Sequence, residues 1–272
     1  MPEPGYWTLH EEACARGEDT YRDPETGYQV FTRIGLRKRE RCCGVGCRHC
    51  PFDHEQVRTE DRADRIQQAA WLTRTRPAAD PAARILFWSG GKDSYLAYLT
   101  LAAEADTPIV LLTTFDARSR IIAHQEMAIA EVVAQAEHLG LPLIGVPLQS
   151  GPDYLDQVAP ALALVPGCSG LCFGDLHLTH IRSWREEAFR KHPATSGMQL
   201  SFPLWQQDYA LLLAKLAASG AICAISAVRH DLESVSVGDI FDANCVAKLP
   251  RGIDAFGENG EFHTRVTFDQ GS

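Results

Sequence analysis

The fold is decided by the stretch Ile85-Leu86-Phe87-Trp88-Ser89-Gly90-Gly91-Lys92-Asp93-Ser94, which is followed by the run Tyr95-Leu96-Ala97-Tyr98-Leu99. Its apolar first part predicts a buried strand, its two glycines predict a turn, and its last part predicts the start of a helix. At such a turn, backbone N–H groups and the helix dipole attract a phosphate group. We therefore expect a nucleotide to bind at this turn.

Each residue type of this loop suits phosphate binding. The glycines let the backbone approach an anion, the lysine supplies a positive charge and the serines supply hydroxyl groups. The spacing differs from the Walker loop, which has four residues between its first glycine and the Gly-Lys pair. The string resembles instead the PP-loop of ATP pyrophosphatases, which split ATP into AMP and pyrophosphate while they adenylate an acceptor; an ordinary glycine-rich turn is the alternative. The predicted ATP-binding residues are Ser89, Gly90, Gly91, Lys92, Asp93, Ser94 and, after the next strand, Asp116.

Composition places the chain among ordinary α/β proteins. It has 272 residues, of which 45% are hydrophobic, so it can bury a full core and carry a small additional module. No stretch approaches the roughly 20 apolar residues of a membrane span, and the start of the chain lacks the order of a secretory signal, so we expect a cytoplasmic protein. The net charge of -9 argues against general nucleic-acid binding, which depends on Lys and Arg.

Strands and helices alternate from residue 84 onward. This pattern predicts an α/β fold with a parallel, Rossmann-like sheet and helices on both faces. The predicted strands are 85–88, 109–114, 143–146, 171–173 and 221–226, and the predicted helices are 94–104, 124–139, 154–164, 178–190 and 207–219. Ligands bind at the carboxyl ends of such strands, where the glycine loop, Asp116 and Asp175 would meet in one crevice.

The same pattern divides the chain into four parts. Residues 1–68 form a Cys-rich module, and residues 69–83 have linker composition. Residues 84–200 form the ATP-binding domain, and residues 201–272 form a C-terminal subdomain that contributes the substrate pocket.

Four motifs in order resemble the diphthine-ammonia ligase family of PP-loop ATPases. They are Ser89-Gly-Gly-Lys-Asp-Ser94, Phe173-Gly-Asp-Leu-His177 with Arg182-Ser-Trp-Arg-Glu186, Phe202-Pro-Leu-Trp205, and Gly257-Glu-Asn-Gly-Glu-Phe-His-Thr264. The resemblance implies the PP-loop ATPase fold and an ATP-dependent C–N ligase. In that reaction a substrate carboxylate attacks the α-phosphate, pyrophosphate leaves, and ammonia displaces AMP. ATP, a carboxylate acceptor and ammonia are then the partners.

The site residues follow from this chemistry. Preorganised N–H groups, Lys92 and a Mg²⁺ ion would stabilise the leaving pyrophosphate, and Asp93, Asp116 or Asp175 would hold the ion through water. The resemblance places the acceptor against the C-terminal motif, where a carboxylate is suited to bind ammonium or to deprotonate the amine. The predicted catalytic residues are Lys92, Asp93, Asp175, Glu258 and Glu261. The predicted substrate-binding residues are Arg182, Glu258, Asn259, Glu261, His263 and Thr264.

The C-terminal motif departs from the family pattern Glu-Gly-Gly-Glu-(Phe/Tyr)-Glu-Thr at two positions. Asn259 stands where the first glycine is usual, and His263 stands where the last glutamate is usual. This variant resembles bacterial relatives, whose hosts are not expected to carry diphthamide. We therefore keep amidation as the expected reaction and leave the acceptor open.

Four cysteines crowd into one segment of the N-terminal module. They are Cys42, Cys43, Cys47 and Cys50, and this segment with Tyr21–Tyr28 resembles a small uncharacterised Cys-rich domain family. An odd total of nine cysteines and their clustering favour metal or redox chemistry over a disulfide framework. The predicted metal is Zn²⁺ or an iron–sulfur cluster, and His49 or His54 is an alternative ligand because adjacent cysteines hardly face one ion. Reduced cysteines buried for packing are the other interpretation.

Two other functions stay open at this point. The first is a PP-loop enzyme that modifies tRNA and grips it with the basic Cys-rich module, in which Arg39 and Arg41 stand close to the cysteines. The alternative for these arginines is a solvated surface. The second is a non-catalytic nucleotide-binding protein whose module senses metal or redox state. Homodimer formation is also left open.

Overall fold

The computed structural model describes residues 5–24, 26–62, 65–77, 82–104, 107–122 and 125–268. Several predictions lie partly outside these residues. They concern the start of the Cys-rich module at 1–4, linker residues 78–81, the first residue of the predicted helix at His124, and the end of the C-terminal subdomain at 269–272.

Helices and strands alternate along most of the chain. The N-terminal module contains α1 (Gly5–Ala15), β1 (Thr20–Arg22), β2 (Gln29–Phe31), α2 (Arg33–Arg37) and α3 (Thr59–Arg62). There follow β3 (Ala70–Trp71), β4 (Ala83–Phe87), α4 (Lys92–Ala103), β5 (Ile109–Asp116), β6 (Ile121–Ile122), β7 (Met127–Ala128), α5 (Ile129–His138), β8 (Leu143–Leu148), α6 (Tyr154–Leu162), β9 (Cys168–Cys172), α7 (Thr179–Lys191) and β10 (Gln199–Ser201). The C-terminal part contains α8 (Tyr209–Ala218), β11 (Ile222–Val228), α9 (Ala243–Ala247) and β12 (Phe262–Thr267).

The central sheet has six strands in the order β10-β9-β4-β5-β8-β3. All neighbours are parallel except the edge strand β3, which runs antiparallel to β8. The predicted α/β fold with a mostly parallel sheet is therefore confirmed. The chain moves from β4 to β5 on one side and returns to β9 on the other side. The strand order thus reverses at β4, which is the position where open α/β sheets bind ligands.

Both faces of the sheet are covered by helices. One core combines sheet residues such as Leu86 and Leu111 with α4, α5 and α8, which contribute Leu96, Val132 and Leu212. The other core lies under α6 and α7, represented by Val158 and Phe189. Strands that are buried on both faces need near-continuous apolar runs, and this requirement explains why the sequence pattern located them.

Residues 70–72 belong to the sheet, although they fall in the predicted linker. Ala70 and Trp71 pair with Gly145 and Ile144 in β8, and the Leu72 N–H donates to the Leu143 carbonyl over 2.8 Å. This short strand joins the N-terminal module to the main sheet. The other predicted domain boundaries stay a prediction.

The C-terminal ribbon closes over the glycine loop. Strands β11 and β12 pair antiparallel to each other, outside the main sheet. The Val266 N–H donates to the Gly90 carbonyl over 3.0 Å, so β12 lies against the loop that follows β4. Among the described residues, no helix has the length and apolar character that a membrane crossing requires.

Candidate active site

The loop between β4 and α4 has the shape that phosphate binding requires. Gly90 has a φ of +82°, and a Cβ there would lie 2.8 Å from the Gln135 Oε1 atom, so only glycine fits. Gly91 precedes the first helical residue and has no side chain of its own to cap α4. The N-terminal end of α4 therefore presents its dipole to the crevice, where the Thr264 hydroxyl oxygen accepts from the Lys92 N–H.

Lys92 and Asp93 form a buried ion pair at the floor of the site. The Lys92 side chain is 3% exposed, and its Nζ atom donates to Asp93 Oδ2 over 2.9 Å. The same Nζ lies 5.3, 5.6 and 5.8 Å from the ring centres of Phe256, Phe241 and Phe262. Rings at these distances attract a cation and keep water away from it. Burial raises the pKa of Asp93, and the charge of Lys92 opposes that rise.

The crevice has two adjoining lobes that share one wall. The first lobe lies along the glycine loop, and its lining includes Ser89, Ser94, Thr114, Tyr154 and Phe173. The second lobe lies along the C-terminal motif, and its lining includes Lys92, Gln125, His180, Asn259, His263 and Thr264. Asp93, Leu178, Arg185 and Glu258 line both lobes. A nucleotide in the first lobe would thus meet a second ligand at the shared wall.

Glu258 is the acidic group of this shared wall. Burial raises the pKa of Glu258 to about 8, and the nearby Asp93 carboxylate adds to the rise while Lys92 opposes it. A carboxyl group with a pKa near neutral pH exchanges a proton readily with an amine. The structure thus places the predicted catalytic Glu258 between the phosphate loop and the second lobe.

Asp175 is held by Arg185, a residue that the sequence analysis did not select. The guanidinium donates to both carboxylate oxygens, with Nε to Oδ2 at 2.7 Å and Nη2 to Oδ1 at 3.2 Å. It also lies 4.5 Å from the centre of the Phe173 ring. This stacked and bidentate geometry fixes the guanidinium in the wall of the crevice.

Arg182, which was predicted to bind substrate, lies on another face of α7. Its guanidinium pairs with Glu186 over 2.8 Å and stacks on Phe202 and Trp205. Arg182 is not among the residues that line either lobe. The apolar residues at positions 181 and 178 lie one and two turns before position 185, so helical periodicity was the signal that could have selected Arg185.

Gly174 brings the loop after β9 against the phosphate loop. A Cβ at this position would lie 2.9 Å from the Asp93 carbonyl carbon and oxygen and 3.1 Å from the Ser94 nitrogen. Two backbone segments therefore touch where the sheet order reverses. This close approach places Asp175 in the lining of the first lobe.

Glu261, a predicted catalytic residue, holds a turn together. It is 2% exposed, and its carboxylate accepts from the N–H groups of Asp254 at 3.2 Å and Asn259 at 2.9 Å. The Asn259 amide side chain donates to it as well, over 3.2 Å. Burial raises the pKa of Glu261, but these donors outweigh burial and the net shift is downward. The arrangement gives Glu261 and the Asn259 amide a structural task beside the crevice.

Two hydrogen-bonded side chains connect the C-terminal ribbon to the phosphate loop. Thr264 Oγ1 accepts from the Lys92 N–H over 3.0 Å. Gln135, which no sequence pattern indicated, is buried and donates from Nε2 to the carbonyls of Gly90 at 3.0 Å and Val266 at 2.7 Å. Its Oε1 accepts from the Trp88 indole N–H over 2.8 Å. A buried glutamine in an otherwise apolar helix face is the signal that could have drawn attention to it.

Asp116 is the last residue of β5, and its side chain binds the turn that follows the strand. Its Oδ1 accepts from the N–H groups of Arg118 at 3.0 Å and Ser119 at 2.7 Å, and from the Ser119 hydroxyl at 2.9 Å. These bonds, the Ser119 N–H first, lower the pKa of Asp116. Asp116 is exposed and is not among the residues that line either lobe, and its contact with ATP stays a prediction.

The residues present fit a Mg²⁺ ion that binds together with a nucleotide. The Asp93 Oδ1 atom is buried and has no hydrogen-bond partner within the described ranges. In those ranges no group of three or more His, Cys, Asp or Glu side chains is arranged to hold a metal ion alone. Mg²⁺ usually keeps several waters and takes one or two carboxylates plus substrate phosphates, so one orphaned carboxylate oxygen suits it.

The four clustered cysteines form two pairs. Cys43 Sγ lies 3.2 Å from Cys47 Sγ on the surface, and Cys50 Sγ lies 3.8 Å from Cys42 Sγ in the interior. A hydrogen bond from the Val45 backbone, together with Cys47, lowers the pKa of Cys43, whereas burial raises the pKa of Cys47 to about 11. Among the described residues, these thiols do not belong to a group of three or more side chains that could hold a metal ion. The metal site therefore stays a prediction from the sequence.

A strand, a glycine loop and an uncapped helix at the point of strand reversal define a nucleotide-binding α/β protein. Comparison with protein families identifies this class of protein more specifically. Residues 82–197 match the family model described as "Diphthamide synthase N-terminal domain", which is a PP-loop ATPase family. The PP-loop predicted from Ser89–Ser94 is confirmed for this segment, and the ligase subtype stays a prediction. Residues 9–56 match a family of unknown function, DUF5522.

Solved structures with similar folds come from two archaea. A predicted subunit of tRNA methyltransferase from Methanocaldococcus jannaschii is 19% identical, with 70% of this chain and 98% of that chain covered and a TM-score of 0.34. The U34-tRNA thiolase NcsA from Methanococcus maripaludis, with its [4Fe-4S] cluster, is 16% identical, with 74% and 69% covered and a TM-score of 0.34. Each of these proteins is one to which this chain is similar.

Proposed function

We propose that the protein is an ATP-dependent amide ligase, which adenylates a carboxylate, releases pyrophosphate, and lets ammonia displace AMP. The observation that carries this proposal is the position of Glu258 in the wall that both lobes share. In its ionised form, Glu258 would repel a further phosphate beside the ATP site, because like charges repel. The same form is well placed to bind ammonium and to take a proton from it.

The other residues of the crevice support the same division of tasks. The N-terminal end of α4 and the Lys92 charge would stabilise the pyrophosphate as it leaves. Asp93 would hold Mg²⁺, which would neutralise negative charge on the phosphates. Arg185, fixed by Asp175 at 2.7 Å, would orient the carboxylate of the acceptor at the shared wall. His263 and Thr264 line the second lobe and would contact the acceptor.

The test is a screen of carboxylic acids with ATP, Mg²⁺ and ammonium, in which pyrophosphate and AMP are measured together. A true acceptor should give equal amounts of both products and an amide that mass spectrometry detects. If the acceptor carboxylate carries a heavy-oxygen label, one labelled oxygen should appear in AMP. Pyrophosphate release with an unlabelled AMP would refute adenylation of the carboxylate. ATP binding without any turnover would favour the non-catalytic sensor.

Two arginines of α7 provide a matched pair of variants. Arg185→Ala should lower kcat/KM for the acceptor by about a hundredfold, the usual effect of losing a bidentate positioning group at roughly 3 kcal/mol. Arg182→Ala, on a face that does not line either lobe, should retain most of the activity. Equal effects of the two changes would contradict the assignment of Arg185.

Lys92 needs a substitution that preserves the fold. Lys92→Ala should abolish pyrophosphate release, but it also leaves the half-buried Asp93 without its ion-pair partner and so destabilises the fold. The double variant Lys92→Met/Asp93→Asn removes both charges and keeps the volume, so it should fold and still release no pyrophosphate. Full turnover by a folded Lys92 variant would show that the phosphate site is wrongly assigned.

Tight, salt-dependent tRNA binding would instead support a tRNA-modifying enzyme.

A further inference from the structure

The surface thiols Cys43 and Cys47 form a close pair that the proposed ATP chemistry does not use. Their sulfur atoms are 3.2 Å apart, and Cys43 is exposed while Cys47 is half-buried. This separation is short enough for one sulfur to reach the other without a rearrangement of the chain. Neither residue lines the two lobes of the crevice. The pair therefore lies apart from the candidate active site, on the N-terminal module.

The backbone between the two cysteines is shaped by two glycines. Gly44 has a φ of +75° and Gly46 has a φ of +72°, so both occupy the left-handed region that glycine favours. The turn Cys-Gly-Val-Gly-Cys thus folds the chain back and brings the thiols together. Cys42 and Cys50, which are only 5% and 8% exposed, pack with Val57 beneath this turn. The buried pair supports the turn, Cys43 meets solvent, and the half-buried Cys47 packs against the buried pair.

Two arginines give the site a positive charge. Arg39 and Arg41 are exposed and line a surface cavity together with Cys43 and Gln56. In the part of the chain that the structure describes, neither arginine forms an ion pair, and the Arg39 guanidinium rests 4.8 Å from the centre of the Phe31 ring. Unpaired guanidinium groups beside a thiol attract carboxylates. The expected ligand is consequently anionic.

We propose that Cys43 and Cys47 are a redox-active dithiol that exchanges with low-molecular-weight disulfides carrying carboxylate groups. The Cys43 thiolate attacks one sulfur of the disulfide, a mixed disulfide forms, and the first thiolate leaves. The Cys47 thiolate then attacks Cys43 Sγ, the second thiolate leaves, and a Cys43–Cys47 disulfide remains. The two cysteines lose two electrons, the disulfide gains them, and the two cysteine protons end on the released thiols.

The test uses the full chain with glutathione disulfide as the anionic probe and hydroxyethyl disulfide as the neutral probe. Wild-type protein should lose two titratable thiols, and peptide mass spectrometry should find Cys43 linked to Cys47. Cys47→Ser should stop at a mixed disulfide on Cys43, whereas Cys43→Ser should react only slowly. Cys168→Ser, which changes a half-buried cysteine elsewhere, is the matched control and should behave like the wild type.

The arginines are tested by comparing the two probes. The double variant Arg39→Gln/Arg41→Gln should react roughly fivefold more slowly with glutathione disulfide, as expected for two exposed charges, and nearly unchanged with the neutral probe. Circular dichroism and the unfolding midpoint in urea verify that each variant folds. A tightly bound metal that protects all four thiols, or oxidation that spares Cys43 and Cys47, would overturn the proposal. The outcome is independent of the ligase activity, because the probes require no ATP.

Discussion

Replacing Gly174 with alanine should separate the two loops that form the nucleotide site. The new Cβ would lie 2.9 Å from the Asp93 carbonyl carbon and oxygen, and ordinary van der Waals contacts begin at 3.4 Å. The loops must therefore move apart by about half an ångström, since the contacted atoms belong to the backbone and cannot rotate away. Such overpacking costs about 1–3 kcal/mol, which lowers Tm by roughly 2–10 °C in a protein of this size.

The same displacement should weaken ATP binding. Asp93 and Ser94 begin α4, so the movement shifts the N-terminal end of the helix that faces the phosphates. A loss of about 1.4 kcal/mol, or tenfold in affinity, is a modest expectation for a misplaced phosphate site. The assay is the increase of Tm on adding ATP and Mg²⁺, because a ligand that binds only the folded state stabilises it by an amount that grows with the logarithm of the ratio of ligand concentration to Kd.

Gly197→Ala is the matched control for this experiment. A Cβ at Gly197 would have no heavy atom within 4 Å, and the residue lies in an exposed turn. This variant should keep both the Tm and the ATP-induced increase of the wild type. If Gly174→Ala retained the full ATP-induced increase, the loop after β9 would not define the nucleotide site, and the reasoning from the sheet reversal would be refuted.

Two further predictions concern the groups that join and charge the crevice. Gln135→Leu should lower the free energy of unfolding by about 2–4 kcal/mol and weaken ATP binding, because it leaves the Trp88 indole N–H and two carbonyls without their partner. Glu137→Leu, on the exposed side of α5, should change little. Equal unfolding midpoints of the two variants in urea would contradict this prediction. Burial raises the pKa of Glu258 from 4.5 to about 8, so its proton stabilises the fold below pH 4.5 and this contribution is lost as the pH rises through 8. Without nucleotide, stability should fall by up to about 1.4 kcal/mol per pH unit between these values, and a Glu258→Gln variant that kept the wild-type slope would argue against this origin.

The sequence predicted the main sheet because each central strand is buried on both faces. Runs such as those of β4, β5 and β8 are mostly apolar, and the helices between them show a different period. The edge strand β3 escaped prediction because it is short. Its two residues are buried within the short apolar run Ala-Ala-Trp-Leu at 69–72, and only the pairing with β8 distinguishes them from a linker.

The phosphate loop was predictable, but the environment of its lysine was not. Glycine spacing is a local property, whereas the rings around Lys92 Nζ belong to Phe241, Phe256 and Phe262, far along the chain. Nothing in the loop itself indicates that its charge is buried. For the same reason the sequence could not distinguish Glu261, which stabilises a turn, from Glu258, which lines the crevice. Their different roles follow from the partners that the fold brings to each carboxylate.

The C-terminal ribbon makes the two halves of the candidate site dependent on each other. Phe262 forms part of the ring cage around Lys92 Nζ, and Thr264 accepts from the Lys92 N–H, so one side of β12 fixes the phosphate loop. His263, between them, lines the second lobe, where we propose that the acceptor binds. A change that tilts β12 must therefore alter nucleotide affinity along with acceptor affinity. In an adenylating enzyme this dependence is useful, because the carboxylate and the α-phosphate have to be aligned by the same rigid element before they react.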